Sequence, residues 1–464
     1  MKALLANLGF VLQFAGFFIL IPIIVAFYLN ETQALIPLFI TSVSLLVSGF
    51  FLNALCERKI LSFKASCILL LLVFIILPLF TSIPCQYLNP LEISDPVEKF
   101  TVCYFESVST STTTGLTFLK NASLSKSLVF YRSILQWIGG IGLIFILLSF
   151  FYPADFADRV SKLIDIDRIT EQIKKSFVIV VLVYAVLTII FTIMFFIFGY
   201  GDLIDSASLI ISTIVTGSLP VQTVPESLLL KVLLIVVMVI GATNFWVIYR
   251  IFYLSSKKPI SKEFEVFIFI ILIATFFVFA FSNLDLLSSL FHVVSTSSTT
   301  GLSYVDFNRI APPNLAQSLK MVFITLMFIG GCSFSSAGGI KIKRLIIVFK
   351  SIPIFVKREI TKKEEKVIYE EAALTDSEII KHLLTIVVSI FIIFLSAFVF
   401  TFYGFSFEDS IFESLSAYST AGISIGITSL SLPLELKWLL IILMIVGRVE
   451  IMTLFIGLSG IKED

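Results

Sequence analysis

Ser109-Thr110-Ser111-Thr112-Thr113-Thr114-Gly115-Leu116 is a polar run ending in glycine, set in a chain that is oily almost throughout. Runs of the same kind recur at Ser212 to Ser218, Ser295 to Leu302 and Ser416 to Ile423. Aligned on Gly115, Gly217, Gly301 and Gly422, each follows a short stretch able to form a helix and precedes a long apolar one. A unit that recurs along a chain reports architecture more than any one of its residues does. Taken alone, each run reads as an ordinary Ser/Thr–Gly turn. Four of them in register, each between apolar segments, favour a shared purpose.

Composition narrows the class. The 464 residues are 58% hydrophobic and 14% charged, and the mean hydropathy is +1.05, which selects an all-α membrane protein. A net charge of +1 gives no signal for nucleic acid or acidic substrates. The cysteines (Cys56, Cys67, Cys85, Cys103, Cys332) lack metal-ligand spacing. Cys85 and Cys103 could share one side of the membrane and pair, but inert thiols are the expectation. The first thirty residues carry one lysine before a long apolar core, and read as a retained span.

A span needs roughly 20 mostly apolar residues. Ten segments qualify: 8–28, 33–54, 65–82, 127–152, 176–199, 228–250, 266–282, 317–350 (overlong and interrupted), 383–403 and 436–459. Basic connections around Arg58 and Lys59, Arg159 to Lys175, Lys257 to Lys262 and Lys341 to Lys366 alternate with acidic ones. Basic loops stay in the cytoplasm, so both termini are expected inside and the four Gly loops outside. The predicted organisation is a leading helix pair (1–60) and four parallel helix–loop–helix repeats around a central pore. The repeats cover 61–154, 155–254, 255–352 and, with a cytosolic linker, 353–464. Irregular backbone at membrane depth is tolerable only beside protein or a wet cavity, so the loops should meet in the middle.

Such loops suit a bare cation. Rings of backbone carbonyls can replace an ion's water shell, and glycine lets successive carbonyls aim at one axis. The expected filter is Thr113, Thr114 and Gly115; Thr216 and Gly217; Thr299, Thr300 and Gly301; and Thr420, Ala421 and Gly422. The ion would lie at Thr114, Gly115, Thr216, Gly217, Thr300, Gly301, Ala421 and Gly422.

The sequence resembles the Trk/Ktr/HKT superfamily of potassium transporters, and within it the TrkH-like branch. The resemblance is carried by Phe105-Glu106-Ser107 through Gly115-Leu116 and by Gln136-Trp137-Ile138-Gly139-Gly140-Ile141-Gly142. It continues in Phe328 to Cys332 with Ser335 to Lys341, and in Gly447-Arg448-Val449-Glu450. It implies potassium uptake with no cofactor in the chain, an inner-membrane homodimer, and a TrkA-like cytosolic nucleotide-binding ring. In the superfamily a serine at the first filter position is associated with sodium transport in some plant members, so glycine at all four positions implies potassium preference. The departure is the second repeat, Ile214 to Pro220, which lacks the unbroken hydroxyl run and is stiffened by Pro220.

Gly330, Gly331, Ser335, Ser336, Gly338 and Gly339 would break the eighth span below the filter, although small residues also suit helix packing. The resemblance implies that this loop obstructs the pore and moves on gating. Arg448, midway along the last span, costs roughly 2.5–3.5 kcal/mol there and needs a partner, either the 330–339 carbonyls or Glu450. Glu106, His292 and Glu413 stand nine residues before their glycines, with Ser208 in the second repeat, and are expected to buttress rather than ligate. The basic stretch Lys341 to Lys366 suits anionic lipid or the regulatory ring. Two other classes compete. A membrane-embedded transferase using His292 predicts one catalytic cluster, and a cation-coupled secondary transporter predicts inverted repeats around a midplane site.

Overall fold

The computed structural model describes residues 2–56, 61–119, 124–142, 172–218, 224–225, 227–249, 261–304, 316–362, 365–370 and 372–458. Six described helices are long and apolar enough to cross a membrane: Lys2–Tyr28, Thr32–Leu55, Lys64–Leu88, Val180–Ile197, Lys262–Phe281 and Asp376–Thr401. A bent pair, Leu434–Val449 with Ile451–Gly457, makes a seventh. Their outward faces carry large apolar side chains such as Phe17, Phe51, Phe269, Phe276 and Phe391, as a lipid-facing surface requires.

The first two helices form a close antiparallel pair. Gly9 and Gly49 face each other, and a β-carbon on Gly49 would lie 2.4 Å from the Gly9 carbonyl oxygen. Ser42 donates to the Gly16 carbonyl at 2.9 Å. Small residues permit this approach where lipid offers no hydrophobic drive.

Four short helices follow four of the long ones: Pro96–Ser111, Leu203–Ile214, Leu286–Ser297 and Phe407–Tyr418. Each begins with a side-chain cap: Asp95 accepts from the Glu98 amide, Asp202 from Ile204 and Asp205, Asp285 from Ser288, and Ser406 from Asp409. At Asp285 the Ser288 hydroxyl also donates, which holds that carboxyl below its ordinary value. After each loop the chain returns in an apolar helix: Lys126–Trp137, Leu228–Ala242, Ala316–Ile329 and Leu434–Val449.

A lysine on each returning helix reaches the next unit round the ring. Lys126 pairs with Asp202 and Asp205 at 2.6 and 2.7 Å, Lys320 with Asp409 at 2.9 Å, and Lys437 with Glu98 at 2.7 Å. Lys231 lies over the Tyr304 ring, 4.4 Å from its centroid. The order runs first to second, second to third, third to fourth and fourth back to first, so the four units close into a ring.

The returning helices break where the sequence predicts continuous spans. Leu228–Ala242 stops short of residue 250, and Phe245–Tyr249 resumes after a gap. At that gap the Cys332 amide donates to the Ala242 carbonyl, and the Phe245 amide donates to the Phe334 carbonyl. Lys126–Trp137 passes into a π turn at Ile138–Gly142, and the rest of 127–152 lies outside the described residues. The last span, predicted unbroken, bends by 88° at Glu450, whose φ is +67° and whose carboxylate pairs with Arg344.

The expectation of inert thiols is corrected at one pair. Cys85 and Cys103 are bonded, with Cα atoms 5.4 Å apart, because the Ile83–Leu88 helix folds back beside Pro96–Ser111. Cys103→Ser is expected to lower stability by about 3 kcal/mol, the entropy of a loop of this size. Thermal unfolding in detergent reads this as a lower midpoint than wild type; an unchanged midpoint would contradict it.

Candidate functional site

The end of each short helix is built alike. Thr113, Thr216, Thr299 and Thr420 all lie in the left-handed region, with φ of +59°, +53°, +54° and +52°. The amide of the next residue returns to a serine carbonyl in every case: Thr114 to Ser109, Gly217 to Ser212, Thr300 to Ser295 and Ala421 to Ser416. This geometry fixes the register between repeats. Gly115, Gly301 and Gly422 each come two residues after the left-handed threonine, and in the second repeat that place belongs to Ser218. The alignment on Gly217 is therefore corrected by one residue. Gly217 instead matches Thr114, Thr300 and Ala421, and Leu209 rather than Ser208 stands with Glu106, His292 and Glu413. The leading serines Ser109, Ser212, Ser295 and Ser416 carried this register in the sequence. Pro220 lies outside the described residues.

The four loops touch one another in sequence round a closed circuit. A β-carbon on Gly422 would lie 1.8 Å from the Thr114 carbonyl oxygen, and one on Gly301 would lie 1.8 Å from that of Ala421. The same atom on Gly115 would lie 2.5 Å from the Ser218 oxygen, and Gly301 also faces the Ser218 hydroxyl at 3.2 Å. Neighbouring main chains are thus too close for any side chain at Gly301 or Gly422. The φ values there, +77° and +72°, independently favour glycine. Thr113, Thr114, Thr216, Thr299, Thr300, Thr420 and Ala421 are all buried. Thr112 and Thr114 share a hydroxyl contact at 2.8 Å, repeated by Ser298 and Thr300 at 2.7 Å, so several of these hydroxyls brace the loop.

Behind the loops sit the repeat-equivalent polar residues. Glu106 accepts from the Thr117 hydroxyl, the Phe118 amide at 2.6 Å and the Arg132 guanidinium at 2.7 Å. Glu413 accepts from Ser424 at 2.8 Å, the Thr428 amide at 3.0 Å and the Thr428 hydroxyl. His292 sits against Tyr304, with ring centroids 4.8 Å apart. All three fasten or face the chain leaving the loop. Arg132, buried and paired, went unnoticed in the sequence because a lone arginine near a helix start reads as an interfacial residue.

The short helices end on glycines of the returning helices. A β-carbon on Gly139 or Gly447 would lie 1.7 Å from the Ser111 or Tyr418 carbonyl oxygen, and one on Gly241 would lie 2.6 Å from that of Ile214. In the third repeat the returning helix stops at Ile329 and resumes at Ile342. The intervening loop, with Gly330, Gly331, Ser335, Ser336, Gly338 and Gly339, is tucked beneath the four-loop ring. The Gly338 amide donates to the Thr299 hydroxyl at 2.7 Å, and the Ser336 hydroxyl donates to the Gly241 carbonyl at 2.9 Å. The Ser333 amide donates to Glu263 at 3.1 Å.

Arg448 crosses this level. It donates to the Ser336 carbonyl at 2.8 Å and to the Gly139 and Gly140 carbonyls at 2.9 and 3.2 Å. Of the two partners expected for it, the broken segment is engaged, while Glu450 pairs with Arg344 instead. The Gly139 and Gly140 contacts come from the π turn of the first repeat, which the pattern of apolar residues does not reveal.

The geometry defines a multi-pass membrane protein with four convergent half-buried loops and an irregular segment beneath them. The TrkH family, described as cation transport protein, matches residues 82–211 and 267–462, and the chain belongs to it. An uncharacterized cation transporter of Methanocaldococcus jannaschii is 27% identical over 98% of this chain and 94% of its own. The Trk system potassium uptake protein TrkH of Vibrio parahaemolyticus is 27% identical over 80% of this chain and 81% of its own. The crystal structure of the potassium transporter TrkH from Vibrio parahaemolyticus superposes with a TM-score of 0.85 at 23% identity, covering 99% of this chain and 98% of that one. The chain is thus a transport protein of the membrane and not an enzyme.

Proposed function

We propose that this chain carries potassium into the cell through the circuit of four loops, down the membrane potential. The observation that carries this reading is the closed circuit of contacts linking Gly115, Ser218, Gly301, Ala421, Gly422 and Thr114, main chain to main chain except where the Ser218 hydroxyl meets Gly301. Oxygens crowded about one line suit an ion stripped of water. The carboxyl ends of the four short helices point the negative pole of their dipoles at the same region. The potassium uptake function of the Vibrio relative supports the choice of ion.

The segment 330–341 acts as the gate and Arg448 as its latch and as an electrostatic barrier. Both termini lie in the cytoplasm and the loops open outward. The Cys85–Cys103 bond supports this orientation, since disulfides persist in oxidising compartments. The basic helix Ile342–Thr361 and the Val367–Tyr369/Ala372–Leu374 hairpin then face the cytosol, where a nucleotide-binding ring of the TrkA kind would dock. The resemblance to TrkH-like transporters supports a homodimer in the inner membrane.

The test is flux into proteoliposomes holding the purified chain, with potassium and sodium compared at fixed voltage and without an opposing ion gradient. Voltage-driven potassium entry is expected; a strict requirement for a proton or sodium gradient would favour the coupled reading. Arg448→Ala should raise flux about ten-fold or more, since hydrogen bonds to a charge contribute about 1.5–3 kcal/mol to the closed state. Unchanged flux in that variant would remove Arg448 from the gate.

A further inference from the structure

The segment 330–341 is fastened at two places of different character. At its start the Cys332 amide donates to the Ala242 carbonyl at 3.0 Å, and the Phe334 carbonyl accepts from the Phe245 amide at 3.0 Å. Between them the Ser333 amide donates to the Glu263 carboxylate at 3.1 Å. The Phe334 ring meets that of Phe245 edge-on, with centroids 5.9 Å apart. None of these partners belongs to the four-loop ring. Further along, the Ser336 carbonyl accepts from Arg448 and the Gly338 amide donates to the Thr299 hydroxyl, directly under the ring. Between the two sets stands Phe334, at φ of +57°. A bulky aromatic residue rarely adopts that conformation, which persists only where contacts on both sides impose it.

Glu263 supplies the charged contact in the first set. It sits in the opening turn of Lys262–Phe281 and is only 3% exposed, whereas glutamate is almost never fully buried unless paired. Lys343, on the helix that follows the segment, attracts it. The turn that carries it is itself tied down, because the Lys262 amide donates to Glu370 of the hairpin at 3.0 Å. We infer that Glu263 is a positioning residue: it pins the root of the segment at Ser333, and the gate turns about Phe334 when Arg448 lets go of the far end. The inference rests on the reading of 330–341 as the gate. Opening then moves Ser336 to Gly338 and leaves Cys332 and Ser333 in place. A hydrogen bond to a carboxylate is of the stronger, charge-assisted kind, and a buried carboxylate is costly to leave unpaired. The root therefore holds while the far end releases.

Cys332, 0% exposed and next to Ser333, is a built-in reporter of the root. The experiment is alkylation of the full chain in proteoliposomes by N-ethylmaleimide, with the rate at Cys332 read by peptide mass spectrometry beside rubidium flux. Arg448→Ala should raise flux and leave Cys332 as slow to react as in wild type. Glu263→Leu should speed the reaction of Cys332 at least about ten-fold, the scale of a lost hydrogen bond to a charged group. Glu263→Gln keeps an acceptor for the Ser333 amide and should keep Cys332 shielded. Should Glu263→Leu not fold, Glu263→Asp decides, because its shorter side chain draws the carboxylate away from that amide and should give the same rise. An unchanged rate in Glu263→Leu, or in Glu263→Asp where that variant decides, overturns the inference. So does Glu263→Gln reacting as fast as Glu263→Leu, or Cys332 exposed by Arg448→Ala. Flux unchanged in Arg448→Ala would instead count against the segment as the gate.

Discussion

Gly422→Ala is expected to cut potassium uptake at least about 100-fold, the scale on which a 1 Å displacement disables a geometric site. The added β-carbon would lie 1.8 Å from the Thr114 carbonyl oxygen, so one of the two loops must retreat. The same substitution also places a β-carbon in a left-handed conformation, which costs roughly 1–2 kcal/mol. Gly426→Ala separates the two effects. Gly426 has φ of +106° but nothing within 4 Å of its β-carbon position, so the variant carries the strain without the collision. Rubidium uptake in cells lacking other potassium systems should survive Gly426→Ala and fail for Gly422→Ala. Equal uptake by both would mean that the loops do not meet in the working protein.

The second large effect concerns the buried pair behind the first loop. Arg132 and Glu106, with side chains 9% and 5% exposed, are 2.7 Å apart. Removing one member of such a pair strands the other charge and costs about 3–5 kcal/mol. Arg132→Met is therefore expected to lower the unfolding midpoint in detergent and abolish uptake. Glu106→Gln combined with Arg132→Met should recover much of the stability, since no lone charge remains. Glu413 has no basic partner among the described residues and is held by Ser424 and Thr428, so Glu413→Gln should cost less. If Arg132→Met were as stable as wild type, the pair would be a bystander.

Much of the architecture was legible because it is written in composition and repetition. The apolar segments and the four Ser/Thr–Gly runs led to the loops, and the glycine and serine cluster at 330–339 marked the broken helix. The register of the second repeat was not legible from glycine alone, since Gly217 is adjacent to the true position and competes with it. Backbone conformation at Thr216 decides between them, and that is set by the helix end at Ile214. The bend at Glu450 was hidden because Glu450 lies inside a largely apolar segment and its ion-pair partner, Arg344, is distant in sequence. The Cys85–Cys103 pairing stood in the sequence as the less favoured alternative to inert thiols, because the bond depends on a short helix folding back.

The reading stands on oxygens from four loops enclosing a dehydrated monovalent cation. Anomalous diffraction from crystals grown with thallium in place of potassium tests this most directly. The account predicts a peak on the line enclosed by Gly115, Ser218, Gly301 and Gly422, weakened in Gly422→Ala. Thallium peaks confined to other parts of the molecule would contradict it.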